Sequence, residues 1–370
     1  GHRRCLQQDD PWRNRGDLFN GHAEHRGPIS GGNTLAIGEH NRGNSLGPLI
    51  LCLILAIWIG LRPVSFLFGD TVNYAMVYNA IEPGNLHDYR ISSEWLWDIF
   101  TYLCRTAGLS VNVYFMLIDL VYILVSFAAV KKFVPTSPWL GTLFLIGALF
   151  FFSFGTNGLR NGVACSIVLL IMAYMLEERY VSAVILSIIA MSIHRSSALP
   201  LGGAIIALTV LKNPRYALYG WITCILLSLI AGNYWTELIA DIGFDDRLAQ
   251  YTDTSDENLS TWGSTSSFRW DFLAYSAIPV IYFFYICSRG LRDGWFNTLA
   301  TTYLVANSFW VLMIRAAFSN RFAYLSWFLI PVIFVYPLCN MKVWKDQNFV
   351  AGMLLIAYVS ITVIFLSLIW

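Results

Sequence analysis

The chain has 370 residues, of which 56% are hydrophobic and 13% charged. That is about half the charged share of a soluble globular protein (~25%) and excludes an ordinary water-soluble domain. A formal net charge of +1 leaves no global field to attract nucleic acid or another polyanion.

Residues 1–47 are rich in Gly, Asn, Arg and His, with six Arg against five acidic residues and no apolar periodicity. Such a stretch cannot bury enough apolar surface to fold alone. It is expected to be disordered or an addition to the native chain. His2, His22, His25 and His40 fall in it at irregular spacing, and no cleavable secretion signal is recognisable there. The membrane domain is expected to run from 48 to 370.

Apolar stretches then follow at 48–68, 111–130, 138–154, 158–176, 180–193, 198–211, 216–231, 270–288, 295–314, 322–340 and 348–369. The full-length ones match the ~20 residues that a helix needs to cross the hydrocarbon. The expected architecture is all-α: a polytopic integral membrane protein of about 11 transmembrane helices, with an external interfacial helix and one long external loop. The interfacial helix is assigned to 94–108, which is short and carries Glu94, Asp98 and Arg105. The external loops are assigned to 69–110 and 232–268. Cys52, Cys165, Cys224, Cys287 and Cys339 lie in or beside apolar runs without metal-ligand spacing and read as small buried hydrophobes.

Orientation follows from the basic residues. Lys131–Lys132, Arg179, Lys212 with Arg215, Arg289 with Arg292, and Lys342 with Lys345 mark every second turn and place those turns, with the N-terminus, in the cytoplasm. All five lysines of the chain lie there. The opposite turns carry arginine mixed with carboxylates. Arginine grips phosphate oxygens two at a time, whereas lysine is a point charge, so this face suits a phosphate-bearing lipid head group. Snorkelling at helix ends is the plainer reading of any one arginine.

Several residues on that face fit chemistry. Asp70, in Gly69-Asp-Thr-Val-Asn-Tyr74, suits a base, a sugar-hydroxyl acceptor or an ion-pair partner for an arginine. Arg160 opens the 158–176 stretch behind Gly155, Asn157 and Gly158. The short stretches 180–193 and 198–211 meet at His194-Arg195-Ser196-Ser197, with Pro200 expected to break the second. That geometry implies a funnel in which His194 and Arg195 lie below the surface. Apart from His87 in the 69–110 loop, His194 is the one histidine of the membrane domain. It suits a general base or a structural role against a backbone carbonyl. Arg315 and Arg321 bracket a short turn, and Arg269 and Asp271 open the 270–288 stretch. In the 232–268 loop, Asp241, Asp245, Asp246, Arg247, Tyr251 and Trp262 combine acids with aromatic faces, a set suited to polyhydroxylated sugar.

Four of these segments, in order, resemble the EpsG-like proteins, the Wzy-type polymerases of bacterial surface polysaccharides such as O-antigen and exopolysaccharide. Gly69-Asp-Thr-Val-Asn-Tyr74 resembles their G-x-D-T-x-x-Y opening. Leu159-Arg-Asn-Gly-Val-Ala164 is similar to L-R-Q-x-x-A, with Asn161 where glutamine is usual. His194-Arg-Ser-Ser-Ala198 resembles H-x-S-A with one extra serine, and Asn320-Arg-Phe-Ala-Tyr324 resembles R-x-x-x-Y with the tyrosine one residue early.

The resemblance implies a cofactor-free, metal-independent glycosyl transfer at the outer face of the bacterial cytoplasmic membrane. One undecaprenyl-diphosphate-linked oligosaccharide repeat is joined to another, and undecaprenyl diphosphate is released. His194 and Asp70 would then be catalytic. Arg160, Arg195, Arg315 and Arg321 would bind the diphosphate. Asp245, Asp246, Tyr251, Trp262, Arg269 and Asp271 would bind sugar. Membrane lipid surrounds such a protein, and a chain-length regulator is a partner that fits it. The other readings are a glycosyltransferase using polyprenyl-phosphate sugars, a membrane O-acyltransferase and a flippase for lipid-linked glycans. A transporter should place ionisable groups near the bilayer midplane, and here almost all of them gather toward one face.

Overall fold

The computed structural model describes residues 43–84, Tyr89, 91–241, 268–291, 293–316 and 319–369, and among these every regular element is helical. The first 42 residues, most of the segment 1–47 expected to be disordered, lie outside the described residues. The same holds for His87 and for most of the 232–268 loop.

The first apolar stretch forms α1 (Leu46–Gly60) and stops well short of residue 68, where Arg62 and Pro63 end the helical run. A single 3₁₀ turn at Phe66–Phe68 leads to Gly69 and then α2 (Thr71–Ala80). The expected amphipathic helix is α3 (Trp95–Thr106), which turns Trp97, Thr101, Tyr102 and Cys104 inward. Next come α4 (Val111–Phe133), α5 (Pro138–Ile146), α6 (Leu149–Thr156), α7 (Leu159–Leu176) and α8 (Tyr180–Ile193). A 3₁₀ turn at Arg195–Ser197 joins α8 to α9 (Ala198–Thr209). Pro200 does not break α9. It sits in the first turn, where a missing N–H forfeits no intrahelical bond. The second half holds α10 (Pro214–Asp241), α11 (Trp270–Ser288), α12 (Gly294–Leu312), α13 (Asn320–Trp327), α14 (Ile330–Asn340) and α15 (Gln347–Ile369). Because α10 continues to Asp241 through a kink at Ala231, residues 232–241 are helix and not the start of a loop.

The helices of the described residues do not support the expected eleven crossings. Among the described residues, six helices are long and apolar enough to span a membrane, or up to seven when a bent pair counts as one. That pair is α5 and α6, bent by 69°; the 138–154 stretch breaks at Gly147–Ala148. Helices α1, α8 and α9 are short, with 15, 14 and 12 residues. α12 has a span's length but turns Thr298, Thr301, Thr302 and Asn307 into the protein. The chain is a helical, multi-pass membrane protein.

Packing runs α1–α4–α7–α8 in one half and α9–α12–α10 with α13 in the other. At Gly60 a Cβ would lie 2.3 Å from the Met116 Cα, so only glycine lets α1 and α4 come this close. The stretch Asn320–Asn340 is 89% buried, against 17% for Gln347–Ser367, so α13 and α14 are central and α15 is peripheral. Exposed apolar residues such as Trp58, Val181, Ile230 and Phe349 form the surface that a helix presents to lipid.

A buried polar knot ties the second half together. Asn307 donates to Ser276 Oγ (3.2 Å) and Ser326 Oγ (2.9 Å) and accepts from Trp221 Nε1 (2.7 Å), while Trp327 Nε1 donates to Ser276 Oγ (2.8 Å). With its members mutually bonded, such a network fixes the relative rotation of α10, α11, α12 and α13. It thereby sets the start of α13, where Arg321 sits.

Candidate active site

Helix ends, not helix middles, supply the polar residues. Asp70 caps α2 after Gly69, whose φ of 60° lies in the region that favours glycine. The Gly69 Cβ position is taken by Asn157 Oδ1, 2.6 Å away. Asn157 follows α6, and its Oδ1 accepts the Asp70 backbone N–H at 2.9 Å. The turn before α2 is thus pressed against the end of α6. From there the Asp70 carboxylate accepts from Arg321 at 2.7 Å through Oδ2 and from Asn73 at 3.2 Å through Oδ1.

The second carboxylate is Glu94, at the start of α3. Its Oε1 lies 2.6 Å from His194 Nδ1 and also accepts the Arg195 backbone N–H at 3.3 Å; its Oε2 accepts from Arg160. Arg160, in the first turn of α7, has its guanidinium carbon 5.9 Å from the centre of the Tyr74 ring and 6.0 Å from that of Trp97. These faces suit a delocalised cation. The Glu94 side chain is 12% exposed. Burial pushes its carboxyl up, but the His194 hydrogen bond, the Arg160 and His194 charges and the Arg195 N–H outweigh it and bring it to about 2. Glu94 is therefore a carboxylate at any working pH. Because a carboxylate only accepts, the proton of a neutral His194 is on Nδ1, leaving the Nε2 lone pair available as a base.

Both clusters border one cavity of about 60 Å³, lined among others by Asp70, Tyr74, Asn157, Arg160, His194 and Arg321. Its volume is far below the ~300–1,000 Å³ of typical ligand pockets. The Asp70–Arg321 pair and Arg160, which Glu94 holds, are on its walls, so a larger ligand enters only as these side chains part. Among the described residues, no group of three or more His, Cys, Asp or Glu is placed to hold a metal ion.

The twelve residues expected from the sequence divide. Asp70, Arg160, His194 and Arg321 share the cavity. Arg195 contributes its backbone N–H, while its exposed side chain reaches toward Ser93 Oγ at 3.4 Å. Arg315 packs against Gly232 with its guanidinium 5.9 Å from the Phe268 ring, and it does not line the cavity. Arg269 and Asp271 grip each other through two hydrogen bonds, of 2.9 and 2.6 Å, also away from the cavity. Asp245, Asp246, Tyr251 and Trp262 lie outside the described residues.

Glu94 is the residue that sequence reasoning passed over. It was visible as an acidic residue on the arginine-rich side, and a part-buried arginine such as Arg160 requires a counter-ion. What the sequence does not carry is that this same carboxylate also meets His194.

Two arginines held by carboxylates, a base with an assigned proton and a shared cavity can neutralise a leaving anion while accepting a proton from a hydroxyl. A model of the EpsG family matches residues 47–369. No curated protein and no solved structure matches the chain.

Proposed function

The chain belongs to the EpsG family, and from that premise we propose that it is a membrane glycosyltransferase that polymerises surface polysaccharide from lipid-linked oligosaccharide repeats. The donor is an undecaprenyl-diphosphate-linked repeat, and the acceptor is a sugar hydroxyl on a second one. The observation that carries the reading is the cavity itself, where His194 and two arginines from separate helices converge.

The step balances simply. The acceptor oxygen bonds to the anomeric carbon of the donor, and the bond from that carbon to the diphosphate oxygen breaks. The hydroxyl proton goes to His194 Nε2, and undecaprenyl diphosphate leaves with the bonding pair. A diphosphate is a stable anion, so it needs charge neutralisation more than protonation. Arg160 and Arg321 supply this as the diphosphate displaces Glu94 and Asp70 from their guanidinium groups. Glu94 stays on His194 Nδ1, keeping the ring turned and stabilising the imidazolium that forms. The lysine-bearing turns argue that the cavity opens away from the cytoplasm, toward the periplasm or exterior. Arg195 at the rim provides a further cation for the lipid head group.

The test is gel analysis of surface glycan from a strain deleted for this gene. Loss of long chains, with single repeats still reaching the surface lipid, and their return with the wild-type gene, is the expected result. Unchanged chain lengths in the deletion strain would remove the reading.

A further inference from the structure

One buried ion pair takes no part in the chemistry above. Arg62 NH1 lies 3.2 Å from Asp119 Oδ2, and the two side chains are 4% and 0% exposed. Asp119 is inside α4, a helix long and apolar enough to span the membrane. A charge in that setting is expensive and is normally retained for a specific task.

The remaining hydrogen bonds of Arg62 indicate the task. NH1 also donates to the Ile59 carbonyl at 3.0 Å, Nε donates to Thr71 Oγ1 at 3.0 Å, and NH2 reaches the Thr156 carbonyl at 3.5 Å. The Thr71 hydroxyl in turn donates to that same Thr156 carbonyl at 2.7 Å. Asn112 Nδ2 donates to the Arg62 carbonyl at 2.8 Å, and the guanidinium carbon lies 4.5 Å from the centre of the Phe115 ring. One guanidinium thus joins the end of α1, the start of α2, the middle of α4 and the end of α6. Thr71 is the residue after Asp70, and Thr156 is the residue before Asn157. The Arg62 links therefore run directly beneath the contact between the Asp70 N–H and Asn157 Oδ1.

We propose that Arg62 and Asp119 are positioning residues that lock the Gly69–Asp70 turn against the end of α6, so that Asp70 and Asn157 face the cavity in one fixed arrangement. Asp119 fixes the guanidinium and Thr71 passes the constraint on. The catalytic side of this inference rests on the polymerase reading; the locking of the turn does not.

Two variants test it. Thr71→Val removes the hydroxyl and leaves the ion pair. Arg62→Met combined with Asp119→Leu removes both charges together, so no single buried charge is stranded. In each, hydrogen exchange in the segment 66–74 should speed about tenfold while α4 keeps its protection. Turnover on lipid-linked repeats should fall about tenfold with KM unchanged. Thr71→Ser, which keeps the hydroxyl, should restore both readings. A purely structural pair would instead give full turnover back in the doubly substituted protein once it folds. Wild-type exchange in Thr71→Val overturns the lock, and faster exchange with full turnover overturns its catalytic purpose. If the wild-type gene restores no polymer, the polymerase reading fails, and the exchange measurement still decides the lock.

Discussion

Glu94 Oε1 and His194 Nδ1 stand 2.6 Å apart although 100 residues separate them in the chain. The same carboxylate holds Arg160 through its other oxygen. A single side chain thereby orients His194 and restrains one of the two cavity arginines, and most of the expected behaviour of the site follows from it.

Replacing His194 with alanine removes the proposed base and should lower polymer formation by roughly 10²–10⁴-fold. Protein level and lipid-linked repeat supply should stay normal. Polymer length on gels, with an immunoblot of membranes, checks this. Glu94→Gln keeps the size but turns an amide toward Nδ1, favouring the other tautomer. Its loss should be on the order of 10²-fold or more, and near-normal polymer from Glu94→Gln would show that His194 needs no fixed orientation.

Arg160→Lys keeps a positive charge but loses the planar fork that reaches Glu94 between the Tyr74 and Trp97 faces. Turnover should drop roughly tenfold or more, measured with purified protein and lipid-linked repeats. Equal activity with lysine would mean that simple electrostatics suffices at this position.

Acid should weaken the Glu94 cluster in a defined direction. Its carboxyl is lowered from 4.5 to about 2 in the folded protein. A depressed folded-state value means that the unfolded chain takes up the proton first as the pH falls. The stabilisation is whole above about pH 4.5 and disappears as the pH drops through about 2. Its ceiling is on the order of 3 kcal/mol. The difference in melting temperature between wild type and Glu94→Gln in detergent should shrink as the pH falls below about 5. A difference that persists unchanged at low pH would contradict the assignment.

Gly69→Ala should disturb the turn that presents Asp70. A Cβ there would sit 2.6 Å from Asn157 Oδ1 at a φ of 60°, so the Asp70 N–H loses its acceptor. Destabilisation of about 1–3 kcal/mol is expected, read as a lowered melting temperature, together with reduced polymer. Asn157→Ala in the same background should add little, because the contact is already lost.

Reading the chain as a string recovers the helical character, the amphipathic helix near 94–108 and the polar turn at His194. It also recovers Arg160 and Arg321 as residues at helix ends. Eleven crossings are not supported among the described residues, for a local reason. Apolar runs mark candidate spans, but the break that bends α5 against α6 and the helix ends that leave α1, α8 and α9 with 15, 14 and 12 residues are set where the chain turns. The four arginines look equivalent in sequence, yet Arg160 and Arg321 line the cavity while the Arg195 and Arg315 side chains do not. Arg62 and Asp119 carried a usable signal, since a charge inside an apolar run marks a special site. Their pairing across 57 residues did not.

Membrane residence was written in the sequence, because apolar length acts segment by segment on insertion. Which carboxylate meets which cation was decided only when the helices packed. Helical periodicity specifies the direction of a side chain about its own axis, not the helix opposite it. That choice depends on close contacts such as Gly60 against Met116 and on the Asn307 knot, which exist only in the assembled bundle.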